Sequence, residues 1–342
     1  MKINKSVVIR NVLLISAFLV FILAIVGGYT RLQKAGLSIT EWRPVTGIIP
    51  PLSNEDWQEE FEKYKSIAQY KLVHQNITLE GFKRIYLIEY FHRLIARLAG
   101  VFIFVSFIYL LIKKEIRGFW IPYFVVLFIL FGFQGFLGWL MVRTGVVREI
   151  PFVDPVFLAF HKMFAILVFS YVLLGAFLSD NGSIFRGFSE NLKVRKIIIF
   201  ALIVFLIQTF FGALLAGHKG ALVAPTYPDI NGVLIPSYML SSVHDIIANP
   251  VFVNFFHRHF PWLILVVFVV LIKYSKIAFV GIFLWFVQFF LGLFTLLFSR
   301  GDIPWHLALA HQANAWILYS FIIYILYSTF LYVPEQKFKI IT

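Results

Sequence analysis

Four histidines occupy matching places in a repeated pattern. His92 lies in Glu89-Tyr-Phe-His-Arg93 and His257 in Asn254-Phe-Phe-His-Arg258, while His161 follows Ala-Phe and His311 follows Leu-Ala. Each opens a long apolar run, so each sits near the end of a segment fit to cross a bilayer. Imidazole is costly there and needs a partner. As a neutral nitrogen ligand it suits iron, and two histidines per half of the chain predict two bis-histidine heme sites. The alternative is interfacial histidines bonded to loops, the reading that fits His74, His218 and His244. His259, two residues past His257, and His306, five before His311, fall off the faces of their neighbours and stand as reserve ligands.

The flanking residues extend the pattern. Arg93 and Arg258 each follow a ligand, and a guanidinium fork suits a heme propionate. Ordinary snorkelling at a helix end is the competing reading. Arg97 and Lys162 are further candidates. Glu89 precedes His92 by three residues and Arg93 by four, so all three share a helical face. An ion pair with Arg93 accounts for it structurally. Its counterpart in the second half is Asn254, which does not ionise, and that asymmetry points to proton chemistry at the N-terminal site only. Gly132, Gly135 and Gly138 are three apart and suit close helix packing or room for a macrocycle. Gln134, Gln208 and Gln288 each stand four residues before a glycine and predict interhelical hydrogen bonds.

Composition decides what must hold these groups. Of 342 residues, 60% are hydrophobic and only 14% charged, and 41 are phenylalanine. The mean hydropathy is +0.86. This is the profile of a polytopic membrane protein whose backbone polar groups are satisfied inside helices. With no cysteine, thiolate-ligated heme, iron–sulfur clusters and disulfides are excluded. A net charge of +13 would suggest nucleic acid in a soluble protein; here it is an orientation signal.

Eight apolar runs are long enough to span a bilayer: 11–30, 86–112, 119–141, 157–178, 195–217, 252–272, 277–299 and 306–332. Basic residues crowd one side: Lys2, Lys5 and Arg10; Lys113, Lys114 and Arg117; Arg186, Lys193, Arg195 and Lys196; Lys273 and Lys276; Lys337 and Lys339. Both termini are therefore expected in the cytoplasm. The start of the chain reads as an uncleaved first helix of a bacterial inner-membrane protein. The segment 31–84 becomes an external, partly helical cap, with a helix start at Asn54, and 218–251 is its shorter counterpart. All four histidines then share the outer end of the even-numbered runs.

The halves align without gaps when Gly27 is set on Gly212: Lys34 falls on Lys219 and Leu37 on Leu222. Gln134-Gly-Phe-Leu-Gly138 matches Gln288-Phe-Phe-Leu-Gly292. The expected fold is all-α, eight transmembrane helices as two pseudo-repeated four-helix bundles, residues 1–180 and 181–342.

The stretches Gly27–Ser38, Glu41–Leu52, Trp57–Tyr64 and Glu89–Gly100 resemble the heme A synthase family. They are most similar to the long-loop branch of alphaproteobacteria and mitochondria. The resemblance covers nearly the whole chain. It implies oxidation of the C8 methyl of heme O to the formyl group of heme A, for heme-copper terminal oxidases. It implies a heme b electron carrier on His257 and His311, substrate heme between His92 and His161, and an essential glutamate at Glu89. Some bacterial members carry a cysteine pair in the first external loop, which this chain lacks. The expected partners are heme O, with heme O synthase as its supplier, an electron acceptor and membrane lipid. Nucleic acid is not among them, and the helix-packing glycines allow a homo-oligomer.

The alternative function is a di-heme b-type electron-transfer protein, which accounts for the histidines but not for Glu89 opposite Asn254. A heme exporter would favour inverted repeats or broken midplane helices, and a prenyltransferase would need aspartate-rich magnesium motifs. Neither pattern is present. Pro261 removes a backbone donor one turn past His257, so a local kink is expected there.

Overall fold

Eight apolar helices carry the fold of this chain, a computed structural model in which residues 6–44, 46–180 and 192–330 are described. The basic residues Lys2, Lys5, Arg186, Lys337 and Lys339 lie outside the described residues. The helices are α1 (Val7–Leu32), α2 (Leu79–Ile112), α3 (Trp120–Val147), α4 (Pro155–Ser179), α5 (Leu192–Gly217), α6 (Pro250–Leu271), α7 (Ala278–Leu297) and α8 (Trp305–Ser328). All eight are long and apolar enough to cross a membrane. The chain is an all-α, multi-pass membrane protein.

Local chemistry sets where the helices begin. Asp154 and Asn249 cap α4 and α6 in the same way: each side chain accepts from backbone N–H groups of the first turn, and a proline follows at the first helical position. α2 starts at Leu79, before its apolar run, because its first turns pack beneath the cap and not in lipid. Phe82 and Tyr86 join Phe61 and Tyr64 in a separate buried cluster there. The cap helix Asn54–Lys65 opens with a reciprocal capping box between Ser53 and Asp56. α6 is interrupted at Pro261, where helix Pro250–His259 gives way to helix Trp262–Leu271. Proline has no N–H to offer His257 O.

α1 packs on α2 and α4, and α3 packs on α4 and α2. In the second half α5 and α7 both pack on α6 and α8. The halves meet along α4–α5 and α1–α8, with one continuous apolar core running through all eight helices. The basic end of the bundle is tied by Arg10 to Asp180 at 2.8 Å and by Arg195 Nη2 donating to Thr329 O at 2.7 Å. At the opposite end the two residues matched in the sequence alignment, Lys34 and Lys219, both adopt left-handed backbone (φ 57° and 52°). They end α1 and lead out of α5 by the same turn.

Candidate functional site

Each of the four histidines is backed by a glycine on the helix before its own. A Cβ on Gly27 would lie 3.1 Å from a ring atom of His92, and one on Gly138 3.1 Å from His161. Gly212 and Gly292 stand in the same relation to His257 and His311, at 2.8 Å each. The contacts are thus α1–α2, α3–α4, α5–α6 and α7–α8. Gly132 and Gly135 have nothing within 4 Å of such a Cβ, so only Gly138 of that stripe serves a histidine.

The C-terminal pair has the spacing of an iron site. The His257 and His311 ring centroids are 6.2 Å apart with planes at 71°. Two metal–nitrogen bonds of about 2 Å, plus the distance from each nitrogen to its ring centre, give roughly 6 Å. His161 and His92 are within electrostatic reach of each other. All four imidazoles are half-buried.

Three glutamines hold three of these rings. Gln208 Nε2 lies 2.8 Å from His257 Nδ1 and donates to His257 O at 2.9 Å, filling the bond that Pro261 leaves open. Gln288 Nε2 lies over the His311 ring, 3.2 Å from Nδ1 and 3.1 Å from Nε2, and His311 Nδ1 is 3.0 Å from Gln288 O. Gln134 Nε2 lies over the His161 ring, 3.3 Å from both Nδ1 and Nε2, and donates to His161 O at 3.2 Å. The interhelical bonds expected of these residues are present. Their target, the histidines, was missed from sequence, although each glutamine stands one turn before the backing glycine. The buried Oε1 atoms of Gln134 and Gln208 have no hydrogen-bond partner among the described residues. At His311 the ring has such an acceptor in Gln288 O: with Nδ1 protonated it donates there and leaves Nε2 for iron. Residues and space therefore fit a heme at the C-terminal pair.

Glu89 and Arg93 sit beside the N-terminal pair. Glu89, 3% exposed, accepts from Ser38 Oγ at 2.7 Å, from Ile39 N–H at 3.0 Å and from Arg93 at 2.6 Å. Arg93 also donates to Ile39 O and Glu41 O. In the second half Asn254 donates to Gly220 O, and Arg258 donates to Asn254 Oδ1, Thr226 O, Asp229 O and Ala224 O. Both arginine forks are thus engaged with the loop above their helix. Arg97 holds Pro44 O and Arg43 O in the same way. Lys162, beside His161, lies in the seam between halves, within electrostatic reach of Arg31, His257 and His311. Arg31 crosses that seam to donate to Ala216 O at 2.6 Å. A cavity of about 290 Å³ opens between the cap and α2, bounded by Ile39, Glu41, Tyr86, Tyr90, Arg93 and Arg97.

The remaining histidines lie elsewhere. His74 meets Tyr64 in the cap, His218 meets Ile247 O, and His244 is exposed. The reserve ligands His259 and His306 are also exposed; His259 Nδ1 is spent on Phe255 O at 2.7 Å.

Comparison with known proteins identifies the family. The family model for COX15-CtaA, cytochrome oxidase assembly protein, matches residues 10–323. The chain is 38% identical over 327 residues to a heme A synthase of Rickettsia africae, covering 91% of this chain and 95% of that protein. It is 36% identical over 320 residues to one of Ehrlichia canis, covering 90% and 89%. With one of Wolbachia pipientis the identity is 38% over 319 residues, covering 90% and 93%. Eight spanning helices, glycine-backed histidines and a match along almost the entire length place the chain in the COX15-CtaA family of cytochrome oxidase assembly proteins, to which it belongs.

Proposed function

We infer that this chain is a membrane oxidoreductase that oxidises the C8 methyl of heme O to the formyl group of heme A. The observation that carries the reading is the set of glycine-backed histidine pairs, in a chain that matches heme A synthases along nine-tenths of its length. Residues 1–180 take the substrate heme at His92 and His161. Residues 181–342 hold heme b at His257 and His311. When bound, heme b supplies one-electron redox chemistry.

The chain's own groups do the rest. Two successive hydroxylations of one methyl give a hydrate that loses water to the aldehyde; with water as the oxygen source, each round takes up one water and releases two electrons and two protons. The protons must leave with the electrons, and Glu89 is the carboxylate beside the N-terminal pair that handles them. Its hydrogen bonds to Ser38 and Ile39 also fix the first loop over the site. Arg93, the ion partner of that carboxylate, lines the cavity beneath the cap. Propionates fall to Arg93 and Arg258, one residue past a ligand, each exchanging a loop carbonyl for a carboxylate, and to Lys162 in the seam.

Heme O synthase is the expected supplier of heme O and an external acceptor takes the electrons; a heme b held by His257 and His311 would supply the relay. The charge pattern supports a topology with both termini in the cytoplasm of a bacterium and the heme sites at the outer face of the inner membrane.

Heme extraction tests this. The chain is expressed with heme O synthase, purified in mild detergent, and every heme is identified by chromatography. Heme B together with heme O or heme A is the expected result. Two heme B per chain, indifferent to heme O supply, would replace this function with that of an electron-transfer cytochrome.

A further inference from the structure

Three of the four ligand imidazoles carry a glutamine, and the fourth does not. In α3, α5 and α7 the glutamine stands one turn before the glycine that backs its histidine: Gln134 before Gly138, Gln208 before Gly212, Gln288 before Gly292. In α1 the backing glycine is Gly27, and the residue one turn earlier is Leu23. The His92 ring makes no hydrogen bond among the described residues, whereas His161, His257 and His311 each do. The difference is one amide replaced by an isobutyl group at an equivalent position.

That amide matters to a metal ligand. A partner on the far ring nitrogen fixes the tautomer, orients the ring and raises its basicity. Losing it costs about 10–100-fold in metal affinity. Burying a glutamine in an apolar helix is itself costly, so the three that are kept have work to do. The spacing of the rings agrees. His257 and His311, each with a glutamine against its ring, are already at iron-bridging distance.

We propose that His92 is the exchangeable ligand of the N-terminal site, that His161 is its fixed ligand, and that Gln134, Gln208 and Gln288 are positioning residues for the other three histidines. This rests on the reading that the N-terminal half takes heme O. A resident heme wants two held imidazoles. A site that loads a substrate and discharges a product wants one that lets go. Leu23 supplies that difference, and it leaves the iron an open position whenever His92 is off.

The test uses the full chain, co-expressed with heme O synthase and purified with both sites loaded. Carbon monoxide binding to the reduced protein is followed by optical difference spectroscopy, and the high-spin fraction of the oxidised protein by electron paramagnetic resonance. Wild type should bind carbon monoxide at the heme O or heme A site and not at heme b. Leu23→Gln should weaken that binding about 10-fold or more and lower the high-spin signal, with heme b unchanged as the check on folding. Gln134→Leu should act in the opposite direction, shedding heme O and heme A during purification. His92→Ala should retain more substrate heme than His161→Ala.

Carbon monoxide binding equal in wild type, Leu23→Gln and Gln134→Leu overturns the inference and leaves the functional reading standing. So does equal loss of substrate heme in the two alanine variants. Absence of heme O and heme A from the wild-type protein overturns both.

Discussion

Glu89 and Asn254 occupy equivalent turns of α2 and α6 and bind the loop above them with opposite polarity. Glu89 accepts from Ser38 Oγ and Ile39 N–H, whereas Asn254 donates to Gly220 O at 2.8 Å. Each is almost fully buried, at 3% and 1% exposure, and each is tied to an arginine four residues on. A loop that offers donors needs a carboxylate, and a loop that offers a carbonyl needs an amide. The asymmetry that sequence reading assigns to chemistry therefore also has a mechanical cause, and the two roles separate by substitution.

Glu89→Ala should keep heme b, because His257 and His311 lie in the other half, yet make no heme A. It leaves Arg93 without its buried partner, which costs on the order of 3 kcal/mol, so the thermal midpoint should fall as well. Asn254→Asp turns a carboxylate oxygen toward Gly220 O. It should destabilise the 218–251 loop by about 1–3 kcal/mol while heme A is still made. Full conversion of heme O by Glu89→Ala, assayed by heme chromatography, would remove the catalytic assignment and leave the loop anchor.

The backing glycines give a sharper series. Gly212→Ala and Gly292→Ala bring a methyl to 2.8 Å from a ligand ring, closer than carbon atoms tolerate, so the imidazole must turn. Both variants should lose most heme b from the purified protein, read from the reduced-heme absorbance. Gly132→Ala and Gly135→Ala meet nothing within 4 Å and should retain it in full. A normal heme b content in Gly292→Ala would show that the ring has freedom the packing denies it.

Much of this site is legible in the chain because repetition survives translation into structure. The four histidines, the Gly27–Gly212 match and the Lys34–Lys219 match all depend on spacing, and spacing is what a sequence records. The glutamine–histidine bonds are different. Their partners are on separate helices, 27, 49 and 23 residues apart, and nothing local aims one at the other. Among Gly132, Gly135 and Gly138 the repeat match to Gly292 marks the last, and the packing of α3 on α4 shows what it is for: it alone meets a histidine ring. The start of α2 at Leu79 was also hidden, because its first turns are polar enough to read as loop until the cap is seen to cover them.

Pro261 raised the possibility that His259 replaces His257. The break falls after the ligand, and Gln208 satisfies the carbonyl that the proline leaves open. His257→Ala should therefore abolish heme b binding, while His259→Ala should leave its amount and absorbance unchanged. Heme b surviving in His257→Ala and lost only in the double variant would hand the role to His259.

The cap should loosen in acid. The Tyr64 hydroxyl lies 2.6 Å from His74 Nδ1 and 3.0 Å from Gln69 Oε1. Burial holds His74 below the usual histidine range, and the nearby Lys34 charge adds to it. Burial also pushes the Tyr64 phenol up, with help from the Glu89 charge, so the pair is neutral when folded. Below about pH 6.5 the unfolded segment takes up a proton that the folded one resists. The stability His74 lends the cap is full above that pH and falls as the pH drops toward its lower folded value. Hydrogen exchange in the helix Asn54–Lys65 should be faster at pH 5 than at pH 7.5, beyond the intrinsic change in rate. In His74→Gln, which keeps a polar partner for Tyr64 and does not titrate, that excess should vanish. The same protection at both pH values in the wild-type chain would mean that the His74 proton is not linked to the cap.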